Sequence, residues 1–570
     1  MKDTIMEMPD YQRPYEKCLR EYHKASPRHV IVLETDLLED EKRHLFHQAD
    51  LLRQCGNELL GIMKRHLDQL LRTKKYRGLR KSYGKISKSI KNLQQIKKLS
   101  NVQKRHLKDL QKDLRTVGNQ MKEIQETYHV TWEYCRNTMK TLRLKYEQTS
   151  VIALSRAEDI WTAVSKVLYS DGDRLHFKKR GDLPELRAKQ IHRGIVGSMK
   201  NGSLGFHYGK LTFPVKRKEK DFWLMDELEA VEAYLKNPGF HDAYAIDRMQ
   251  HGEIVSTYRP CYASIVCKTI RGKLRVYLHL TVEGFPFPKR TKDGVIKHLC
   301  GDGIVGCDIG TQTIAYTSDH VVGLENLAER GNSIRCVERQ QRLVQRAMDR
   351  SRRAMNPDNY NADGTIRKGK KAWTKSKRYQ KLQLRYRELC RVSAENRKLA
   401  IHEQVHKMRS LGDVFVTEAK NAKKLQKRAN PEDPMDKNGK PKRKKRFGRS
   451  IKNRCPGYFQ AKVQQLFEST GGTYIEVPPD YRASQYDHTA DDYIKKKLSQ
   501  RMYNLKDGTK VQRDWYSSFL LYCIDLITKT IDRQKCLAIF EIQLNKEHEL
   551  IEEIIRLKKR IMNSGIRVAA

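Results

Sequence analysis

A chain of 570 residues with 114 Lys and Arg against 68 Asp and Glu carries a formal charge of +46, an excess that repels itself unless an anionic partner such as a nucleic-acid backbone neutralises it. No stretch approaches the roughly 18 consecutive apolar residues of a membrane span, and the opening MKDTIMEMPD lacks a basic region followed by an apolar run, so neither a spanning helix nor a signal peptide is expected. The length exceeds the ~250–300 residues that one core organises, which predicts two or more domains.

The plainer readings of the charge are a ribosome-associated protein or a merely soluble basic surface. With 38% hydrophobic residues and a mean hydropathy of −0.76, the chain still holds long apolar-periodic segments, so a folded, polar, multi-lobed α+β protein is expected. Its twelve cysteines are scattered and none forms a C-x-x-C pair. A zinc ribbon is therefore not expected, and the thiols fit a reducing, cytoplasmic setting.

In chain order, HVIVLETDLL at 29–38 reads as a strand. From 41 the pattern becomes helical. Leu52, Cys55, Leu59, Ile62, Leu67 and Leu70 form one stripe, and Leu107, Leu110, Leu114, Val117, Met121, Ile124 and Tyr128 another, with basic residues between. Residues 170–290 turn strand-like, and YASIVCKTIRGKLRVYLHLTV reads as a β-hairpin through Arg271-Gly272. The boundaries predicted are first strands of a β-barrel-like module at 1–40, a helical lobe inserted at 41–168, and the remainder of the module at 169–300.

GIVGCDIGTQTIAYTSDHVVGL then reads as strand, turn, strand. Residues 335–410 are helical and very basic. A strand at 413–419, a helix at 458–469, a strand at 473–479, a helical segment at 514–532 and a final helix at 544–563 follow. Strands interleaved with helices predict an α/β domain with parts at 301–334, 411–483 and 514–570, separated by the basic helical insertion 335–410 and a segment 484–513. Within it, 430–455 is a basic loop whose KNGKPKRKKRFGR run offers Lys442, Arg443, Lys444, Lys445, Arg446 and Arg449 to phosphates. A localisation-type signal is the other reading of that run.

Three acids are candidates by placement, although spacing alone does not select them among the 68 acids of the chain. Asp308 sits in an apolar strand just before Gly310, Glu418 closes the strand beginning at Val414, and Asp514 opens an amphipathic helix. Each alone has a plainer reading: a turn-capping Asp, a solvated strand-end Glu, a helix N-cap. Together, acids on two strands and a helix start suit hard divalent ions, which prefer carboxylate oxygens.

Here a resemblance enters. GIVGCDIGTQTIAYTSD, VFVTEAKN and QRDWYSSFLLY resemble, in order, the three RuvC motifs of transposon-encoded TnpB nucleases and their type V CRISPR effector relatives. PGYFQAKVQQLFESTGGTYIEVPPDYRASQ and the paired helices around KSKRYQKLQLRYRELCRVSAENRKLAIHEQVHKM are similar to the family as well. The likeness spans roughly residues 300–535. It implies an RNase H-like (RuvC) domain in which Asp308, Glu418 and Asp514 bind Mg²⁺ or Mn²⁺. It also implies a wedge module with an inserted recognition lobe, a guide RNA, and double-stranded target DNA cut beside a short flanking motif. The family usually carries a four-cysteine zinc finger before the third acid; here 484–513 is cysteine-free, so zinc is not expected, and Asp487 becomes a rival to Asp514. Two other readings are a nuclease-inactive RNA-guided repressor and a protein-only RNase H-like transposase.

His402-Glu403-Gln404-Val405-His406 is a literal H-E-x-x-H. Its zinc-protease reading lacks a third ligand and gives a +46 chain no use for its charge. Tyr258, Tyr262, Phe206 and Tyr208 lie on strand-like segments, where they either stack bases or, as is commoner for alternating aromatics, pack into the core. No G-x-x-x-x-G-K-[ST] occurs, so no ATP dependence is expected.

Overall fold

The computed structural model describes residues 12–568 apart from 95–99, 170–171, 173, 190–192, 201–202, 218–219, 330–332, 420–424, 426–447, 479 and 497–499. Helices and several sheets are distributed over two compact units, Met1–Phe287 and Pro288–Ala570.

In the first unit the strands are β1 (Arg28–Glu34), β2 (Leu186–Arg187), β3 (Ile195–Lys200), β4 (Ser203–Tyr208), β5 (Leu211–Phe213), β6 (Pro260–Ile270) and β7 (Lys273–Glu283). They form two antiparallel sheets, ordered β1-β7-β6-β2 and β3-β4-β5. The β6–β7 hairpin turns through Arg271 (φ 53°) and Gly272 (φ 78°), two left-handed residues whose twist matches that of the flanking strands. β1 pairs with β7 from Arg28↔Glu283 to Glu34↔Tyr277. The helices Glu39–Arg72, Lys74–Gln94, Asn101–Thr127, Trp132–Lys145 and Ser150–Tyr169 are therefore inserted between strands of one sheet. Ile31, Leu33, Phe206, Phe213, Leu278 and Leu280 share the core of the sheets. The stripe residues Cys55, Leu59, Leu67 and Leu70 belong to a separate helical core with Met63 and Val164.

The strand-like reading of 170–290 misses two helices, Phe222–Lys236 and Pro238–Gln250. Their starts are written in caps: Asp221 accepts from Leu224 N at 3.3 Å, and Asn237, followed by Pro238 at the first helical position, accepts from Phe240 N at 3.4 Å. A further helix, Gln12–Ala25, precedes β1.

The second unit is organised by β8 (Ile304–Ile309), β9 (Thr313–Thr317), β10 (Val322–Asn326), β11 (Val414–Glu418) and β12 (Thr473–Val477), in the order β10-β9-β8-β11-β12. β8, β9 and β10 are antiparallel neighbours, while β11 runs parallel to both β8 and β12. Alternation splits the sheet into two faces. Val305, Cys307, Ile309 and Phe415 pack with Ile401, Val405 and Met408 of the helix Lys377–Leu411 and with Phe459, Val463 and Phe467 of the helix Pro456–Ser469. Ile304, Val414 and Val416 face the opposite side, against Trp515, Phe519 and Leu520 of the helix Arg513–Tyr522. Two small hairpins precede that helix: β13 (Tyr486–Asp487) with β14 (Asp492–Tyr493), and β15 (Met502–Asn504) with β16 (Lys510–Gln512).

The helical segment expected at 514–532 stops at Tyr522. Asp525 instead takes the N–H groups of Ile527 (2.8 Å) and Thr528 (3.4 Å), an alternative to the helical ladder. Asp532 then caps a new helix, Arg533–Arg556, by accepting from Lys535 N at 2.9 Å. The final helix thus begins earlier than the 544 expected and ends at Arg556, where Lys558 adopts a φ of 48°. Among the described residues no helix is long and apolar enough to cross a membrane.

Candidate active site

β8 and β11 are adjacent and parallel, and the chain leaves β8 toward one edge of the sheet and β11 toward the other. The carboxyl ends of two such strands, where the strand order reverses, are where α/β sheets open a ligand crevice. Asp308 is the penultimate residue of β8 and Glu418 the last of β11. The ladder pairs Thr417 with Cys307, so one residue on, Glu418 and Asp308 stand side by side. Both continue the every-second-residue series packed toward the Arg513–Tyr522 helix (Ile304 and Gly306 before Asp308, Val414 and Val416 before Glu418), so both belong to the face which that helix covers.

Gly306 explains how the helix comes so near. A Cβ there would lie 2.2 Å from Tyr522 N and 2.3 Å from Ser518 O, so helix backbone rests directly on strand backbone. Ser518 Oγ also meets Thr317 Oγ1 of β9 at 2.9 Å. Asp514, one turn before Ser518, is the second residue of this helix and not its cap. Gln512 caps it, its side-chain oxygen accepting from Trp515 N at 2.7 Å.

Asp514 Oδ1 accepts from Arg513 Nε (3.0 Å) and Nη2 (2.7 Å), and Oδ2 lies 3.6 Å from Arg501 Nη1. Burial and the neighbouring Arg513 charge pull Arg501 below the ordinary guanidinium range, while the charges of Asp514 and Asp308 act on it in the opposite sense. Arg501 therefore lies within electrostatic reach of two of the three acids. Among the described residues no group of three or more His, Cys, Asp and Glu side chains is close enough to hold a metal ion. Carboxylates are the donors a hard divalent cation takes, and Asp308 and Glu418 share one sheet face; the third acid is engaged by guanidinium. Arg501 and Arg513 escaped the sequence reading, although Arg513 adjoins Asp514, because their pairing depends on the register of a short hairpin.

Asp487 is occupied otherwise. It is buried, its Oδ1 accepts from Thr489 N (3.1 Å) and Oγ1 (2.7 Å), and its Oδ2 accepts from Lys506 N (3.0 Å). The next residue, His488, is equally buried, its Nδ1 2.7 Å from Tyr516 OH and its carbonyl bound by Arg533 Nε at 2.9 Å. This acid ties the cysteine-free segment together with hydrogen bonds.

The helix Lys377–Leu411 carries His402, Glu403 and His406. His402 Nε2 lies 2.9 Å from Tyr458 OH. His406 stacks on His298 with ring centroids 3.8 Å apart, and burial followed by the two neighbouring histidines lowers its pKa to about 4. Lys442 to Arg446 lie outside the described residues; Arg449 falls in the helix Gly448–Arg454. Phe206, Tyr208 and Tyr258 are core residues. Tyr262 instead lines a cavity of about 1100 Å³ in the first unit, with Arg28, Arg187, Lys189, Arg193 and Arg259. Two acids on its wall, Asp159 and Glu158, pair with Arg187 and Lys189.

Two of those cleft arginines are held from beneath by Glu283, whose side chain is fully buried. Its carboxylate receives Arg259 Nη2 (2.7 Å) and Nε (3.0 Å), Arg28 Nη2 (3.3 Å) and His23 Nδ1 (2.7 Å). Burial alone would raise its pKa, but the hydrogen bonds from His23 and Arg259 and the charge of Arg259 hold it at about 2. A depressed carboxylate stabilises the fold above its unfolded value and loses that contribution as pH falls, here from roughly 4.5 toward 2. Glu283→Gln is expected to destabilise the first unit by about 3 kcal/mol at neutral pH. Thermal melting of both proteins at pH 7 and pH 3.5 checks this, with the gap between them narrowing at the lower pH.

No protein-family model matches the chain, and no curated protein matches it. Among solved structures it is similar to the selenomethionine-labelled Cas12i1 R-loop complex before target DNA cleavage, with a TM-score of 0.23 and 11% sequence identity. The match covers 78% of this chain, which spans 58% of the length of that one.

Proposed function

We propose that this protein is an RNA-guided DNA endonuclease with a single RuvC-type centre of Asp308, Glu418 and Asp514 in an RNase H-like second unit. The observation that supports the reading is the adjacency of Asp308 and Glu418 at the carboxyl ends of two parallel strands, on the face covered by the helix that carries Asp514. The three acids would hold Mg²⁺ or Mn²⁺, and the bound ion would supply activation of the attacking water and charge neutralisation at the leaving oxygen. The reaction is hydrolysis: a water oxygen gives up a proton and adds to phosphorus, the ester bond to the leaving oxygen breaks, and that oxygen takes a proton.

The net charge of +46 and the basic cleft of the first unit support guide RNA and target DNA as partners, bound through phosphates and duplex shape while base pairing reads sequence. In this reading residues 1–40 and 169–300 are the wedge module, 41–168 the recognition lobe, and 484–513 a target-loading segment without zinc.

The deciding experiment is purification from the native host, sequencing of co-purified RNA, and an Mg²⁺-dependent cleavage assay on DNA matching that RNA. A discrete bound RNA and cutting of matched DNA only are the expected results. Cutting that proceeds after the RNA is stripped would replace the reading with a protein-only transposase. Tight matched binding without cutting would replace it with a repressor.

A further inference from the structure

Asp514 faces two guanidinium groups that reach it from one hairpin end. Arg513 N donates to Arg501 O at 2.9 Å, which continues the β15–β16 ladder one pair beyond Met502↔Gln512 and sets the two arginines across from each other. Arg513 takes Oδ1 through two nitrogens at 2.7 and 3.0 Å, and Arg501 approaches Oδ2 at 3.6 Å. Gly565 lies close against the Arg501 stem, where an added Cβ would come within 2.6 Å of Arg501 Cβ.

Two like charges held together this way repel, and the arrangement persists because Asp514 and Asp308 offset them. The pair carries two positive charges, the same as one divalent ion. Arginine does not give up its proton in proteins, so the carboxylate can be freed only by moving the guanidinium groups away.

Resting on the metal reading of the acids given above, we propose that Arg501 and Arg513 are positioning residues that clamp Asp514 until a divalent cation displaces them, so that the β15–β16 hairpin sets the metal affinity of the site. The hairpin and the Asp514 helix share a backbone at Gln512–Arg513, so releasing the clamp loosens the hairpin as the acid turns to the ion. Nucleic acid that draws the arginines onto its phosphates would have the same effect as the ion.

The test is a titration of the full chain with Mn²⁺, free ion being read by electron paramagnetic resonance. Apparent affinity scales with the fraction of protein in the binding-competent state, so Arg501→Gln is expected to tighten Mn²⁺ by about three- to tenfold. Arg501→Lys, which keeps the charge, is expected to stay within about twofold of the native protein. In the native protein Mn²⁺ is expected to raise hydrogen–deuterium exchange across 501–513. Asp308→Ala, measured alongside, is expected to lose the site. If Asp308→Ala loses it while Arg501→Gln leaves affinity unchanged or weaker, the clamp is wrong and the metal reading stands. Tighter binding with no rise in exchange reduces Arg501 to a background charge and also overturns the clamp. If native protein and Asp308→Ala titrate alike, the metal reading falls and the clamp with it. Should Arg501→Gln fail to fold, by circular dichroism, Arg513→Gln replaces it with the same expectations.

Discussion

Asp308→Ala is expected to cut Mg²⁺-dependent DNA cleavage by about a thousandfold or more, the scale of loss when one member of a unit that acts together is removed. Asp308 sits inside β8, paired with Ala315 of β9 and directly after Cys307, which pairs with Thr417 of β11, so its backbone is fixed by the sheet whichever side chain it bears. The truncation removes a half-buried carboxylate and leaves the apolar face of Val305, Cys307 and Ile309 untouched. Melting temperature and affinity for the co-purified RNA should therefore change little, the latter within a few-fold. Single-turnover cleavage with saturating RNA and Mg²⁺ measures the first, and a filter-binding titration the second. A variant that still cuts at a tenth of the native rate would remove Asp308, and with it the proposed centre.

The next largest expected effect is on folding, at Gly306. A methyl group at this position meets backbone atoms of the Arg513–Tyr522 helix at 2.2 and 2.3 Å, and backbone has no rotamer to move into. The helix must lift from β8, opening the contacts of Trp515, Phe519 and Leu520 with Val416. Gly306→Ala is expected to cost about 3 kcal/mol, a fall of about 5–10 °C in the transition of the second unit by scanning calorimetry. Cleavage should fall with it at temperatures where the variant is still folded, because Asp514 rides on the displaced helix. Unchanged melting would show that strand and helix are not packed backbone to backbone.

How far the sequence speaks depends on whether a feature is local. The strand-end positions of Asp308 and Glu418 are legible because each comes after a short apolar run, though the resemblance, not the run, singles them out as a site. The β6–β7 hairpin was legible through Arg271-Gly272, and the insertion of helices between strands through a change of period at 41. The hairpin register that joins Arg501 to Asp514 is non-local, and no periodicity announces it. The early stop at Tyr522 turned on whether Asp525 would bond its own backbone, a choice the apolar pattern of LLYCIDLI conceals. The helix Phe222–Lys236 was missed for a different reason. Its start is plainly marked by Asp221, but strand-like segments on both sides drew the whole interval into one reading. Asp487 and Asp514 looked alike as acids near one end of the chain. The donors around them separate an acid that braces a turn from one engaged by two guanidinium groups.

The pairing of β1 with β7 also bears on how the chain is made. Arg28 and Glu283 are partners roughly 250 residues apart, so β1 leaves the ribosome with no neighbour until nearly the whole first unit has followed. At ordinary elongation rates that wait is roughly 10–50 s. Meanwhile the five inserted helices, whose apolar contacts are mostly with one another, can settle into their own bundle. Closure of the sheet then becomes a late, long-range event with its cost in loop entropy, and through that interval Ile31 and Leu33 stay exposed to any other edge strand or chaperone that reaches them first.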